Sequence, residues 1–270
     1  MKQALKHLGF GLLGAVVFVA VWAGVAILAQ LGHIPPRITD IVLAAAGFST
    51  YALYVRVIER RPVLELSGRG ALAQIAGGFA IGLALFAIVI GLLALTGHYH
   101  VRGSGNPLAL LSGLVFWFSG AVMEELLFRG FIFRITQNVF GTWIAVVVSA
   151  LLFGALHAAN PGASVFSSIA IALEAGVLLA LAYAATNRLW LPIGIHAGWN
   201  YAEGTIFGTA VSGGTVKATL LHGTLTGNTL LTGGAFGAEA SVIAVLVCLA
   251  AAAILATKVK RRQLVESPAG

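Results

Sequence analysis

The chain has 270 residues, of which 59% are hydrophobic and only 9% charged, with a net charge of +7. Soluble domains carry about a quarter charged residues, so this composition, with a mean hydropathy of +0.96, excludes an ordinary soluble domain and points to a membrane protein. The basic residues are scattered between apolar runs rather than gathered on one face, which argues against a nucleic-acid partner and for topology signals.

From the N-terminus, Lys2 and Lys6 precede a charge-free run over 8–32. That run exceeds the roughly 7–15 residues of a signal-peptide core, so it is expected to stay as a first transmembrane helix. Windows of about 20 apolar residues place spans near 9–31, 41–57, 71–96, 108–133, 141–159, 165–186, 190–209 and 239–257. The expected fold is all-α, a polytopic membrane helix bundle of about eight transmembrane helices, forming one integral membrane domain over 1–270. The second span is the shortest, and is expected to tilt little or borrow its flanks.

With the N-terminus inside, twelve lysines and arginines fall on inner segments and three (Arg37, Arg102 and Lys217) on outer ones. That bias predicts N-in and C-in. The charged collar over 56–66 reads as an inner-surface anchor. The Gly- and Thr-rich outer segment 211–238 is long for a structureless loop, and its 230–237 portion could lie on or dip into the membrane. Cys248, the single cysteine, lies in an apolar run, allows no internal disulfide and reads as packing.

Chemistry concentrates in the stretch 120–130, where Glu124, Glu125 and Arg129 interrupt an apolar run. A charge at bilayer depth costs several kcal/mol, so three in one span need a reason. Glu125 and Arg129 are one helical turn apart with the acid first, the favourable order for an ion pair. Glu124 points about 100° away from Glu125, which leaves it free. Further along, Phe153 and His157 share a face one turn apart, with Asn160-Pro161-Gly162 ending the helix. His196 and Asn200 also stack at i, i+4, with Gly194 and Gly198 beside them allowing close helix contact. Glu174 and Glu203 are further acids in spans, without an assigned role.

Glu124, His157, His196 and Asn200 together suit hydrolysis. A carboxylate or imidazole can act as general base on water, and a His or Asn donor can stabilise an oxyanion. Glu124, His157 and His196 could instead ligate a divalent metal such as Zn²⁺; the residues alone leave both open. Ser104 and Ser212 lie in loops expected to be away from either histidine, which ranks a serine protease low.

The three motifs Glu124-Glu125-x-x-x-Arg129, Phe153-x-x-x-His157 and His196-x-x-x-Asn200, in this order on polar-bearing spans, resemble the signature of the CPBP family. These are the type II CAAX prenyl endopeptidases and their bacteriocin-processing or immunity relatives. The resemblance covers mainly 107–209, which it implies is the catalytic core. It implies an intramembrane endopeptidase acting on a membrane-associated protein or peptide. Glu124 and His157 would activate water, His196 and Asn200 would form the oxyanion site, and Glu125, Arg129 and Phe153 would support them. Some relatives remove the C-terminal tripeptide of prenylated proteins, and the family is often labelled metalloprotease. The expected setting is the cytoplasmic membrane of a prokaryote. The competing reading is a non-catalytic membrane protein, such as a transporter, immunity or scaffold partner, that uses the same residues for binding.

Depth poses a condition. His157 lies near the outer end of its span and His196 near the inner end of its own, so they meet only if a helix breaks or shifts. The expected break is at Ala159, with 160–162 lining a water-filled cavity where irregular backbone is tolerated.

Overall fold

The computed structural model describes residues 2–216 and 218–266; Lys217, counted above among the outer cations, lies outside them. The chain is a polytopic helical bundle. Among the described residues, six helices are long and apolar enough to cross a membrane. They are α1 (Lys2–Leu31), α2 (Pro36–Val57), α3 (Ala71–Leu95), the compound rod α4–α5 (Ala109–Phe140), the compound rod α7–α8 (Val165–Thr186) and α11 (Val242–Glu266). Two expected spans are shorter. Helix α6 runs only from Thr142 to His157, and α9 (Trp190–Asn200) continues as a π-helical turn over Tyr201–Ile206.

Local chemistry sets most boundaries. Pro36 starts α2 in the first turn, where a missing N–H leaves no bond unmade. That helix takes in polar residues at both ends and so exceeds its apolar stretch. Ser164 and Ser167 cap α7 reciprocally, each hydroxyl accepting from the other's backbone N–H at 3.0 and 2.8 Å. Helix α6 stops at His157 and is followed by a turn over Ala158–Gly162, as the Asn-Pro-Gly sequence dictates.

Helices α3 and α9 make the tightest crossing. A Cβ on Gly78 would stand 2.6 Å from the Leu191 carbonyl, and one on Gly194 2.5 Å from the Ile75 carbonyl. Gly82 and Gly198 face Ile195 and Phe79 as closely. The two glycine pairs therefore let the backbones touch, which pins the helix bearing His196 and Asn200.

Three rods depart from α-helical winding where they carry buried charge. Residues Leu126–Phe133 form a π-helix directly after Glu125, Ala172–Gly176 one around Glu174, and Tyr201–Ile206 one around Glu203. A π turn adds a residue and rotates everything beyond it relative to an α continuation.

Two features differ from the sequence expectation. The collar is an ion network rather than a simple row of surface cations. Arg61 meets Glu59 at 2.6 Å and Glu65 at 2.7 Å, and Arg134, at the start of α5 (Arg134–Phe140), meets Glu59 at 2.5 Å. It thereby ties the end of α2 to the α4–α5 rod. The outer segment is also ordered. Its strand β2 (Leu221–Leu225) pairs antiparallel with β1 (Tyr99–Ser104), an element the hydropathy pattern does not reveal. The segment then turns inward through the short helix α10 (Thr229–Thr232), and Phe236 is buried among Phe128, Phe153, Ala170 and Ile171.

Candidate active site

The charged stretch ends α4 (Ala109–Glu125). Glu125 and Arg129 are both fully buried and paired at 2.8 Å. The same Glu125 oxygen accepts from His196 Nδ1 at 2.9 Å, a contact across 71 residues that the motifs do not announce. Arg129 Nη2 donates to the Ala175 and Gly176 carbonyls at 3.3 and 3.2 Å, at the end of the π turn around Glu174, while its Nε is buried without a partner. Its guanidinium lies 4.7 Å from the centre of the Phe153 ring, a cation–π contact in a desolvated setting. Arg129 thus joins three rods, and Glu125 holds one of the two histidines.

Glu124 has a different environment. Its Oε2 is buried without a hydrogen-bond partner in the protein and stands 4.0 Å from His157 Nε2. That separation is too long for a direct bond and suits a bridging water. His157 Nδ1 donates to the Phe153 carbonyl at 2.8 Å, which fixes its proton on Nδ1 and leaves Nε2 as acceptor in the neutral ring. Phe153 stacks against His157 at 4.6 Å between centroids and meets His196 edge-on at 6.1 Å. Both imidazoles therefore flank one aromatic ring, so the meeting of distant helix ends is achieved.

A cavity of about 20 Å³, measured as room for water centres, is lined by His157, His196 and Asn200 together with Phe153, Trp199, Glu174, Ser212 and Glu239. That is enough for a single water. Glu124 is not part of its lining and reaches it through His157. The turn 160–162 does not line it either; it packs beneath the outer segment, with Gly162 against Ala235 and Gly213 against Pro161.

Sequence reasoning missed two wall residues. Ser212 was expected far from the histidines, yet it lines their cavity, and its N–H and hydroxyl both donate to Glu239 Oε1, at 2.5 and 2.8 Å. Glu239 in turn donates its backbone N–H to Glu203 Oε1 at 3.3 Å, and Cys248 donates to Glu174 Oε2 at 3.4 Å. The two acids left unassigned by the sequence, Glu174 and Glu203, thus stand with Glu239 beneath the outer segment. The only sequence sign of Glu239 is an acid opening an apolar run.

Among the described residues no group of three or more His, Cys, Asp or Glu is arranged to hold a metal ion. The candidate ligands Glu124, His157 and His196 do not fit a metal as they stand.

Comparison with known proteins bears on the same region. Residues 105–202 match the family model for Rce1-like proteins, described as type II CAAX prenyl endopeptidase Rce1-like. The match spans all three motifs and agrees with the resemblance drawn from them. It supports an enzyme, and in general terms an intramembrane endopeptidase acting on a protein or peptide. Searches of curated proteins and of solved structures return no match.

Proposed function

We propose that this integral membrane protein is an endopeptidase that cleaves a membrane-associated protein within the bilayer, using water activated by Glu124 and His157. The core is 107–209, and the setting is a prokaryotic cytoplasmic membrane with both termini inside. The observation that carries the reading is the contrast between adjacent glutamates. One oxygen of Glu125 is held by both Arg129 and His196, its other oxygen being buried without a partner, whereas Glu124 Oε2 stands unpartnered 4.0 Å from an acceptor nitrogen of His157.

A water between Glu124 Oε2 and His157 Nε2 donates one hydrogen to each. Glu124 takes its proton as the water oxygen bonds to the scissile carbonyl carbon. The carbonyl oxygen gains the charge and is met by side-chain N–H groups of Asn200 and His196. Because His196 Nδ1 already donates to Glu125, its Nε2 can donate only in the doubly protonated ring, for which Glu125 is the counter-charge. When the C–N bond breaks, the proton held by Glu124 passes to the leaving nitrogen, directly or through His157.

The test is a comparison of membrane-protein termini in cells making the wild type or Glu124→Gln. Loss of a general base lowers rate by about 10²–10⁴-fold, so termini produced by the wild type should vanish in the variant while its level in the membrane is unchanged. Identical termini in both would overturn the reading in favour of a non-catalytic binding role.

A further inference from the structure

The cavity between the histidines has room for about one water, whereas sites that take a drug-sized ligand measure about 300–1,000 Å³. A peptide side chain does not fit in that volume. What closes it is the segment between α9 and α11, which supplies Ser212 and Glu239 to the cavity wall and Phe236 to the bundle interior.

Phe236 is only 1% exposed and fills an apolar pocket made by Phe128, Phe153, Ala170 and Ile171. Phe153 is the ring that both imidazoles flank. A pocket of side-chain size thus abuts the water-bearing cavity and is occupied by the protein's own side chain. Near the cavity, the closing segment is held by polar bonds: Gly213 N–H to the Phe236 carbonyl at 2.7 Å, and Ser212 to Glu239. Gly227 and Gly237, at φ 109° and 126°, bracket the stretch that carries Phe236 with backbone angles that favour glycine. The β1–β2 pairing lies outside the part that needs to move.

We propose that the Phe128–Phe153–Ile171 pocket is the seat for an apolar side chain of the substrate beside the scissile bond, and that Phe236 occupies it until substrate displaces the segment. The proposal rests on the protease reading for its meaning, but its test needs no hydrolysis. In purified full-length protein, diethylpyrocarbonate labelling of each histidine is followed by mass spectrometry, with exposed His33 and His222 as references. His157 and His196 should react slowly in the wild type. Phe236→Ala should speed labelling of His157 at least about tenfold through loss of the local closed state, with the references unchanged. N-acetyl-leucinamide should then protect His157 in that variant, whereas N-acetylglycinamide should not.

Phe236→Leu, which keeps an apolar filler, should give an intermediate rate and serves where the alanine variant does not melt cooperatively. Unchanged labelling in a folded variant overturns the gate. Faster labelling without leucine-selective protection overturns the seat. Failure of the Glu124→Gln test, by contrast, removes the protease reading and leaves these rates as they are.

Discussion

Glu124 and Glu125 are neighbours in sequence with opposite roles, and helix geometry separates them. Adjacent residues diverge by about 100°, which sends one acid to Arg129 and the other toward His157. The first pairing was legible because i, i+4 contacts are local. The bond from Glu125 to His196 was not, since nothing near either residue fixes which side chain meets which across 71 positions. Ser212 and Glu239 escaped for a related reason: a loop's path is set by what it packs on. Removing one partner of a fully buried ion pair strands the other, at about 3–5 kcal/mol. Glu125→Leu should therefore lower stability in detergent by about that amount, measured by chemical denaturation. The double variant Glu125→Leu/Arg129→Met should recover much of the loss; a double variant as unstable as the single one would count against the pairing as the cause.

Among the elements, the crossing of α3 on α9 has the least room for change. Gly82→Val would drive a branched side chain into the Ile195 backbone. It should abolish accumulation of folded protein, read by size-exclusion chromatography, while Gly24→Ala, with open space around it, should be neutral. The helical spans were legible from hydropathy, and the close contact from Gly194 and Gly198. The β1–β2 pair was not, because strands five or six residues long that pair across more than a hundred positions leave no local period.

The collar offers a pH test at the same scale. Burial alone would raise the Glu59 carboxyl, but its hydrogen bonds and charge contacts with Arg134 and Arg61 outweigh that and hold it below the usual range. A depressed carboxylate contributes stability that is present above the unfolded value, about 4.3, and lost as pH falls through the lower folded value. Melting curves of wild type and Glu59→Gln should therefore differ at neutral pH and converge only as pH falls below the depressed folded value. A gap that persists at lower pH would assign the effect to packing.

For the whole molecule, the distribution of basic residues predicts an orientation with both termini inside. With both termini inside, a membrane-impermeant thiol reagent should label His33→Cys in intact cells. Lys260→Cys should be labelled only after permeabilisation, and the buried Cys248 should give little background. Labelling in the reverse pattern would invert the topology. The bundle also combines long lipid-facing rods with the short helices α6 and α9, and the site forms beside the C-terminal parts of those two, where neither needs to reach the far surface.

The three π-helical turns carry a consequence for anyone planning substitutions by helical wheel. Each holds one surplus residue, so a stripe drawn with a uniform 100° step slips by a full position when it passes residues 126–133, 172–176 or 201–206. A periodicity scan would assign Phe131, Leu178 or Ile206 to the wrong side of its rod. Conversely, deleting a single residue inside one of these turns is the economical change that restores α winding. In the first rod a deletion beyond Arg129 would swing Arg134 away from the collar while leaving Glu124, Glu125 and Arg129 in place, which uncouples the anchor from the acids.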